Sequence, residues 1–155
     1  MTDEAFAKAL TAMTRTLYNV CYSYLRNGCD REDAVQEALY RAWEKRSQLR
    51  DERYLSTWVI RILINECRNI QRKSRDTEEL ADIPVPPGAD MKLHDAILKL
   101  PEKLRLPIVL YHMEGYRVKE IATILRIPQG TVKTRLAAGR RELKHKLSEE
   151  GFAIC

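Results

Sequence analysis

Residues 118–146 read VKEIATILRIPQGTVKTRLAAGRRELKHK, and this stretch decides the fold. Its apolar residues recur at helical spacing, which predicts two amphipathic helices. Residues 126–128, which end in a proline, predict the turn between them. Two helices joined by so short a turn cross steeply and share a small core, so the pattern predicts a helix-turn-helix. The predicted core residues are Ile121, Ala122 and Leu125 in the first helix and Val132, Leu136, Leu143 and Leu147 in the second.

The side of the second helix that faces away from this core is basic and rich in hydroxyl groups. Its residues are Thr131, Lys133, Thr134, Arg135, Arg141 and Lys144. Such a surface suits the phosphates and base edges of a DNA major groove. Pro128 favours a helix start that leaves Gln129 and Gly130 at the N-terminus, the end that this motif inserts into the groove. A merely solvated basic face is the simpler alternative, and the spacing of the turn favours DNA over it.

The length and composition bound the other possibilities. A chain of 155 residues has room for one ordinary domain or two small ones. Neither a signal peptide nor a membrane span is expected, because Asp3 and Glu4 interrupt the N-terminus and no long apolar run follows, so the cytoplasm is the expected compartment. No phosphate-binding loop or nucleophile pattern appears, so we expect no catalytic residue, no cofactor and no small-molecule substrate.

The cysteines and histidines give no sign of a metal site. The four cysteines form no C-x-x-C pair, and the three histidines are scattered along the chain. This spacing argues against both a zinc site and a disulfide framework. We therefore expect reduced thiols, with Cys21 and Cys67 in the core.

Charge is distributed unevenly. Residues 1–75 carry 14 Lys and Arg against 10 Asp and Glu, residues 76–100 carry 2 against 6, and residues 101–155 carry 11 against 6. Two basic blocks therefore flank an acidic segment. A nucleic acid that touches both blocks accounts for this better than a membrane surface, which would require basic residues beside a broad exposed apolar face.

The first half of the chain predicts three helices. Apolar residues at helical spacing predict one long helix over 3–26, ended by residues 27–28. Asp30 is the predicted cap of a second helix that runs to about Lys45. Ser56 is the predicted cap of a third helix that runs to about Arg72.

The second helix has two faces of different character. Ala34, Val35, Ala38, Leu39, Ala42 and Trp43 form the apolar face, whereas Asp33, Glu37, Tyr40 and Glu44 form an acidic one with Gln36 and Arg41 beside it. An acidic stripe does not bind DNA. Periodicity alone leaves two interpretations equally open, a docking face for a basic protein and an ordinary solvated face.

The third helix also has two predicted faces. Its buried side consists of Val59, Leu63, Cys67 and Ile70, and its opposite side presents guanidinium and amide groups suited to phosphates and base edges, from Arg61, Asn65, Arg68, Asn69 and Arg72. Ile64 and Glu66 fit this division imperfectly. Trp43, Tyr54 and Trp58 offer rings on which unpaired bases could stack, although core packing is the commoner role of both tryptophans.

These segments resemble a known family. DREDAVQEALYRAW (residues 30–43), followed by LSTWVIRILINECRNIQRK (residues 55–73), closely resembles the second conserved region of bacterial RNA polymerase sigma factors of the extracytoplasmic-function (ECF) group. LPEKLRLPIVLYHMEGYRVKEIATILRIPQGTVKTRL (residues 100–136) resembles their fourth region. The two matches follow each other in the expected order and cover most of the chain.

The resemblance implies a function and a set of site residues. It implies an alternative sigma factor that binds core RNA polymerase and promoter DNA, and an anti-sigma factor as a further partner. The positions that match the family's core-binding residues are Asp33, Gln36, Glu37 and Arg41. Those that match the residues that open and hold the −10 element are Trp58, Arg61, Asn65, Arg68, Asn69 and Arg72. Those that match the residues that read the −35 element are Gln129, Gly130, Thr131, Lys133, Thr134 and Arg135.

The chain departs from the family pattern at two positions. Relatives often carry glycine where Arg126 stands and a basic residue where Ala138 stands. If the turn requires a positive φ, a residue other than glycine at position 126 costs roughly 1 kcal/mol.

The predicted fold is all-α, with two small helical domains joined by a flexible linker. Residues 1–75 form sigma region 2, residues 76–91 the linker and residues 92–155 sigma region 4, which ends in the helix-turn-helix. The linker prediction depends on the acidic and proline-rich composition of residues 74–90. After the linker a helical pattern restarts at Leu93, and a further helix opens at 101–102, is bent or begun at Pro107, and ends at Gly115.

Two rival functions remain open. The first is a one-component DNA-binding regulator, in which residues 1–75 dimerise or sense a signal and no polymerase is needed. The second is a protein-interaction adaptor that binds nucleic acid weakly, without sequence preference and with a steep dependence on salt. Association with core polymerase distinguishes the sigma factor from both.

Overall fold

The computed structural model of the chain describes residues 1–74 and 91–149. These residues contain helices and no strand, and they form two compact units, one on each side of the undescribed segment 75–90. The predicted all-α class and the two helical domains are confirmed. The predicted linker and the C-terminal tail from residue 150 lie outside the described residues.

The N-terminal unit consists of four α-helices and two short 3₁₀ turns. The helices are α1 (Asp3–Ala12), α2 (Thr14–Tyr22), α3 (Gly28–Glu44) and α4 (Leu55–Ser74), and the 3₁₀ turns Arg46–Gln48 and Glu52–Tyr54 lie between α3 and α4. Its core includes Leu17, Val20, Ala34, Val35, Ala38, Val59, Ile60 and Leu63, all fully buried. The two longest helices, α3 and α4, make the most extensive contact.

The prediction of one long helix over 3–26 is wrong. The helix is interrupted at Met13, whose N–H bonds to the Leu10 carbonyl, and helix α2 ends at Tyr22. The Thr11 hydroxyl donates to the Ala7 carbonyl at 2.9 Å just before the break. Such a bond from a threonine side chain to the preceding turn bends helices, so it favours a break at this point.

Both predicted N-caps are also wrong. Asn27 caps α3, because its side-chain oxygen accepts from the backbone N–H groups of Cys29 at 2.7 Å and Asp30 at 3.4 Å. Asp30 therefore lies in the first helical turn. Helix α4 follows directly from the 3₁₀ turn that Asp51 caps, which places Ser56 inside the helix. In each case a better-placed side chain upstream satisfies the first free N–H groups.

The buried faces of α3 and α4 follow the predicted pattern with small changes. Leu39 and Trp43 on α3, and Ile70 on α4, are half-buried. Ile64 is buried, so the apolar side of α4 is wider than the periodicity indicated. Cys21 and Cys67 are fully buried thiols with their Sγ atoms 3.5 Å apart, which confirms their predicted place in the core.

The C-terminal unit is built from four α-helices and one π-helical turn. They are α5 (Met91–Leu98), α6 (Glu102–Ile108), the π-helical turn Val109–Met113, α7 (Val118–Leu125) and α8 (Gln129–Glu149). The pair α7 and α8 is the predicted helix-turn-helix. Ile121, Val132, Leu136 and Leu147 are buried as predicted, Ala122, Leu125 and Leu143 are half-buried, and Ile124 is a buried residue that the pattern missed.

Pro107 lies inside α6 and is followed at once by the change to π geometry. It has no N–H to donate to the preceding turn, which weakens the helix there. The Glu114 N–H then bonds to the Val109 carbonyl five residues back, and the Tyr116 N–H bonds to the Leu110 carbonyl. Gly115, at φ 75°, reverses the chain between these bonds and ends the helix as predicted.

Gly139 lets α8 approach α6 closely. A Cβ atom at this position would lie 2.7 Å from Ile108 Cγ1 and 3.0 Å from Ile108 Cδ1. Ile108 is 2% exposed, so its side chain has little room to move away. The absence of a side chain at position 139 is therefore a packing requirement of this unit.

We expect Gly139→Ala to destabilise the C-terminal unit by about 1–2 kcal/mol, because overpacking outweighs the gain in helix propensity. Gly130→Ala in the same helix is the matched control, since nothing lies within 4 Å of its Cβ position, and it should not destabilise. Urea unfolding, with hydrogen exchange to locate the change in α6 and α8, measures both. In an Ile108→Ala background the penalty of Gly139→Ala should disappear; a penalty of the same size there would contradict the proposed contact.

Candidate nucleic-acid and protein interfaces

The turn between α7 and α8 sets the position of the second helix of the motif. Arg126 adopts the left-handed conformation with φ 57° and ψ 47°, the one positive φ outside glycine in the described ranges. Its N–H and that of Ile127 bond to the Ala122 carbonyl. The turn therefore does require a positive φ, and a residue other than glycine adopts it at a cost of roughly 1 kcal/mol.

The start of α8 forms the candidate DNA-reading surface. Gln129, Gly130, Lys133 and Thr134 are exposed, and Thr131 and Arg135 are half-buried. The Thr134 hydroxyl donates to the Gly130 carbonyl at 2.9 Å. Val132 and Leu136, which alternate with these residues, are fully buried and fix the rotation of the helix. All six predicted residues thus lie in the first two turns of one helix, and Lys133 and Arg135 make the surface basic.

The acidic face of α3 is exposed as predicted. Asp33, Gln36, Glu37, Tyr40 and Glu44 are all exposed. Tyr40 is 61% exposed, and its hydrogen bond to Glu44, with the charges of Glu44 and Glu37, raises the pKa of its phenol. The fourth predicted core-binding residue, Arg41, differs from the others because it is half-buried and forms an ion pair with a residue of α4.

Arg41 connects α3 to α4. Its Nε lies 3.1 Å from Glu37 Oε1 on the same helix and 2.7 Å from Glu66 Oε1 on α4. Glu66 is buried, with the residue 8% exposed. This ion pair explains why Glu66 did not fit the predicted faces: it belongs to the packed side of α4, where its carboxylate meets Arg41.

The opposite side of α4 is polar and exposed. Asn65, Arg68, Asn69 and Arg72 are exposed, and Arg61 and Trp58 are half-buried. All six residues predicted for the −10 element lie on this helix, and Trp58 and Arg72 are separated by about 21 Å at 1.5 Å per residue. Such a strip could follow several nucleotides of one strand.

The aromatic residues near the start of α4 differ in how far their rings are exposed to solvent. The Phe6 ring lies 6.1 Å from Trp43 and 6.3 Å from Trp58. The Arg46 guanidinium lies 4.1 Å from the Trp43 ring centre. Both tryptophans are half-buried, whereas Tyr54 is 54% exposed. Tyr54 is therefore the most accessible ring of the three.

The loop before α4 is held by its own charges. Arg53 donates to both carboxylate oxygens of Asp51, at 2.7 Å from Nη2 to Oδ2. These hydrogen bonds lower the pKa of Asp51 and raise that of Arg53.

In the C-terminal unit, Arg140 Nε donates to His112 Nε2 at 3.1 Å. Partial burial of His112, and then the charge of Arg140, lowers the pKa of this histidine.

Two buried side chains, Arg31 and Tyr24, make contacts that the sequence did not reveal. Arg31 is 7% exposed, donates from Nη1 to the Leu25 and Arg26 carbonyls at 3.1 Å each, and lies over the Tyr22 ring, which secures the connection from α2 to α3. Tyr24 is 4% exposed, and its hydroxyl accepts from Arg68 Nε at 3.2 Å. The apolar spacing of residues 3–26 includes Tyr24 but does not indicate a partner for its hydroxyl, and a charged residue such as Arg31 gives no apolar signal at all.

The described residues show no grouping of three or more His, Cys, Asp or Glu side chains that could bind a metal ion. Within the same ranges, no helix combines the length and the apolar character that a membrane span requires.

The fold and these surfaces define a class of protein. The family described as sigma-70 region 2 matches residues 4–77, and the family described as sigma-70 region 4 matches residues 90–143. The two units are therefore the two conserved regions of a sigma-70-type factor.

Comparison with individual proteins narrows the class. The chain is 35% identical to the ECF RNA polymerase sigma factor SigW of Bacillus subtilis, over 95% of this chain and 91% of that protein. It is 27% identical to the ECF sigma-E factor of Escherichia coli, over 94% and 87%. A solved structure of the sigma factor RpoE with the anti-sigma factor NepR, from Bartonella quintana, matches with a TM-score of 0.80 at 26% identity, over 94% of this chain and 98% of that one. The chain belongs to the ECF family of RNA polymerase sigma factors, the promoter-recognising factors of the polymerase.

We expect the hydrogen bond between Tyr24 and Arg68 to contribute about 0.5–1.5 kcal/mol to the stability of the N-terminal unit. Tyr24→Phe keeps the ring and removes the acceptor, and Arg68→Met removes the donor. Urea unfolding of the two single variants and the double variant measures the coupling. Additive effects of the two substitutions would show that this contact carries no net free energy.

Proposed function

We propose that this chain directs core RNA polymerase to promoters by dividing three contacts among three helices. The face of α3 formed by Asp33, Gln36, Glu37 and Arg41 binds core polymerase. The polar side of α4, from Trp58 to Arg72, opens and holds the −10 element. The start of α8, from Gln129 to Arg135, reads the −35 element. As a factor of this kind the chain has no catalytic residue, and it acts in the cytoplasm, where polymerase and chromosome are.

The single observation that supports this proposal most strongly is the opposite character of α3 and α4 within one unit. The exposed side of α3 carries Asp33, Glu37 and Glu44, and that of α4 carries Arg68 and Arg72. A surface of carboxylates repels the phosphate backbone, whereas guanidinium groups attract it. One unit can therefore bind a protein and a nucleic acid at the same time on different faces.

Strand opening fits the groups on α4. Unstacking a base costs a few kcal/mol per step, and it must be offset by contacts that duplex DNA does not offer. Asn65 and Asn69 provide amide donors and acceptors for exposed base edges, and Arg68 and Arg72 provide charge for the backbone. Tyr54, just before α4, adds an exposed ring for stacking.

Reading of the duplex fits α8. Free N–H groups in the first turn of a helix, together with Lys133 and Arg135, favour binding to phosphates. Gln129 is exposed at the end of the helix that this motif inserts into the major groove, where its amide can pair with a base edge.

An anti-sigma factor is a further proposed partner. The solved structure of RpoE holds that sigma factor together with the anti-sigma factor NepR, and the chain matches RpoE over most of its length. We propose that a protein of this kind covers the polymerase- or DNA-binding faces of this chain and so keeps it inactive.

The docking face is tested by charge reversal. We expect Asp33→Lys with Glu37→Lys to weaken the affinity for purified core polymerase at least about tenfold. Each change places a lysine opposite the basic surface that an acidic face is expected to bind. Fluorescence anisotropy of the labelled full-length chain, titrated with core polymerase, measures the affinity. Glu4→Lys with Glu142→Lys, at two exposed sites outside the face, is the matched control.

The same titration discriminates among the rival functions. Unchanged affinity of the Asp33 and Glu37 reversal would contradict the docking face. Failure of the unmodified chain to bind core polymerase, with binding of duplex operators as a dimer, would favour a one-component regulator instead. Weak binding to any nucleic acid, with steep salt dependence and no promoter preference, would favour an adaptor.

A further inference from the structure

Glu66 is a buried carboxylate between the two functional helices of the N-terminal unit. It lies in α4, directly after Asn65 in the sequence, and it is 8% exposed. A buried carboxylate is costly unless a cation and hydrogen bonds compensate for the lost water. Its partner is Arg41 of α3, with 2.7 Å between Glu66 Oε1 and Arg41 Nε.

Arg41 is restrained by ion pairs and is still accessible to solvent. Its side chain is 43% exposed, compared with 11% for the side chain of Glu66. The same Nε lies 3.1 Å from Glu37 Oε1, and Glu37 is exposed on the acidic face. Arg41 therefore sits at the border of that face, held between a surface carboxylate and a buried one.

An arginine fixed in this way differs from a free one. A solvent-exposed arginine samples many rotamers, and a partner that binds it must bear the entropy cost of ordering it. A surface ion pair with Glu37 alone would hold it weakly, because exposed pairs at this spacing in a helix contribute little to stability. The buried carboxylate of Glu66, 2.7 Å from the same Nε, adds a second restraint from the neighbouring helix.

We propose that Glu66 is a positioning residue for the docking of core polymerase, which holds Arg41 in place on the α3 face before the partner arrives. This inference rests on the proposed function of that face. It also means that a residue of the helix carrying the DNA-facing groups positions one side chain on the helix that faces the polymerase.

The alternative is a purely structural pair, in which Arg41 only neutralises Glu66. The two possibilities differ for Glu66→Met. Methionine fills a similar volume without a charge, and Arg41, being half-exposed, keeps Glu37 and water as partners. Removing one partner of a buried ion pair is strongly destabilising when the other charge stays buried and unpaired. The half-exposed Arg41 is not left in that state, so the stability of the variant should change little. A structural role therefore predicts a folded variant with unchanged affinity, whereas a positioning role predicts a folded variant that binds less well.

The experiment measures core-polymerase affinity and thermal unfolding for the full-length chain with Glu66→Met, Arg41→Ala and both changes. We expect Glu66→Met to weaken affinity about fivefold, the cost of ordering one long side chain on binding. We expect its unfolding temperature to stay the same or rise. In the Arg41→Ala background, Glu66→Met should have no further effect on affinity. Glu4→Met, which removes one exposed carboxylate of the same unit, is the matched control and should bind as the unmodified chain does.

Several results would overturn the proposal. Unchanged affinity of folded Glu66→Met is one, and an equal loss of affinity in the presence and absence of Arg41 is another. If Glu66→Met does not fold, Glu66→Gln, which keeps shape and one acceptor, is judged by the same two criteria. Loss of affinity on reversing Asp33 and Glu37, with no loss on changing Glu66, would refute the positioning role alone; no loss on reversing Asp33 and Glu37 would refute the docking face itself.

Discussion

The packing of α3 against α4 is the constraint on which the functional surfaces of the N-terminal unit depend. Ala34, Ala38 and Ala42 are completely buried and recur every four residues, so the α3 backbone can approach its neighbours closely. The apolar side of α4, which includes Val59 and Leu63, is buried as well. Once these stripes are buried, the rotation of each helix is fixed, and the carboxylates of α3 and the guanidinium groups of α4 must face solvent.

The same principle operates in the C-terminal unit with different means. There the rotation of α8 is fixed by Val132 and Leu136 on one turn and by Gly139 against Ile108 further along. The positive φ of Arg126, which is unfavourable for a residue other than glycine, sets the direction in which α8 starts. The residues that face DNA in the proposal take no part in this packing, so their side chains can differ without disturbing the fold.

Much of the fold could be predicted from the sequence because apolar periodicity reports directly on buried faces. It located α3, α4, α7 and α8, their solvent-facing residues and the turn at Arg126. It could not locate the break at Met13, where the Thr11 hydroxyl bonds to the preceding turn. Nor could it locate the Asn27 cap, because several polar residues there compete for the same N–H groups and periodicity does not rank them.

The candidate sites could be predicted for a different reason, and only as groups of residues with expected roles. The residues of each site lie on one helix, so helical spacing brought them together and the resemblance assigned their roles, which remain predictions. Glu66, Tyr24 and Arg31 make contacts with residues outside their own helix or turn, and the partners in these contacts could be recognised only from the structure. The sequence contains only a weak sign of two packing residues: Glu66 is a charged residue at an apolar position of α4, and Gly139 is a glycine inside a helix.

The division between a protein-binding helix and a DNA-binding helix is tested most directly by photo-crosslinking in an initiation complex. The crosslinking amino acid p-benzoylphenylalanine would replace Tyr40 on α3 in one preparation and Asn69 on α4 in another, each assembled with core polymerase and a promoter. We expect position 40 to crosslink to a polymerase subunit and position 69 to crosslink to promoter DNA near the −10 element. Crosslinking of position 40 to DNA, or of position 69 to polymerase alone, would contradict the division.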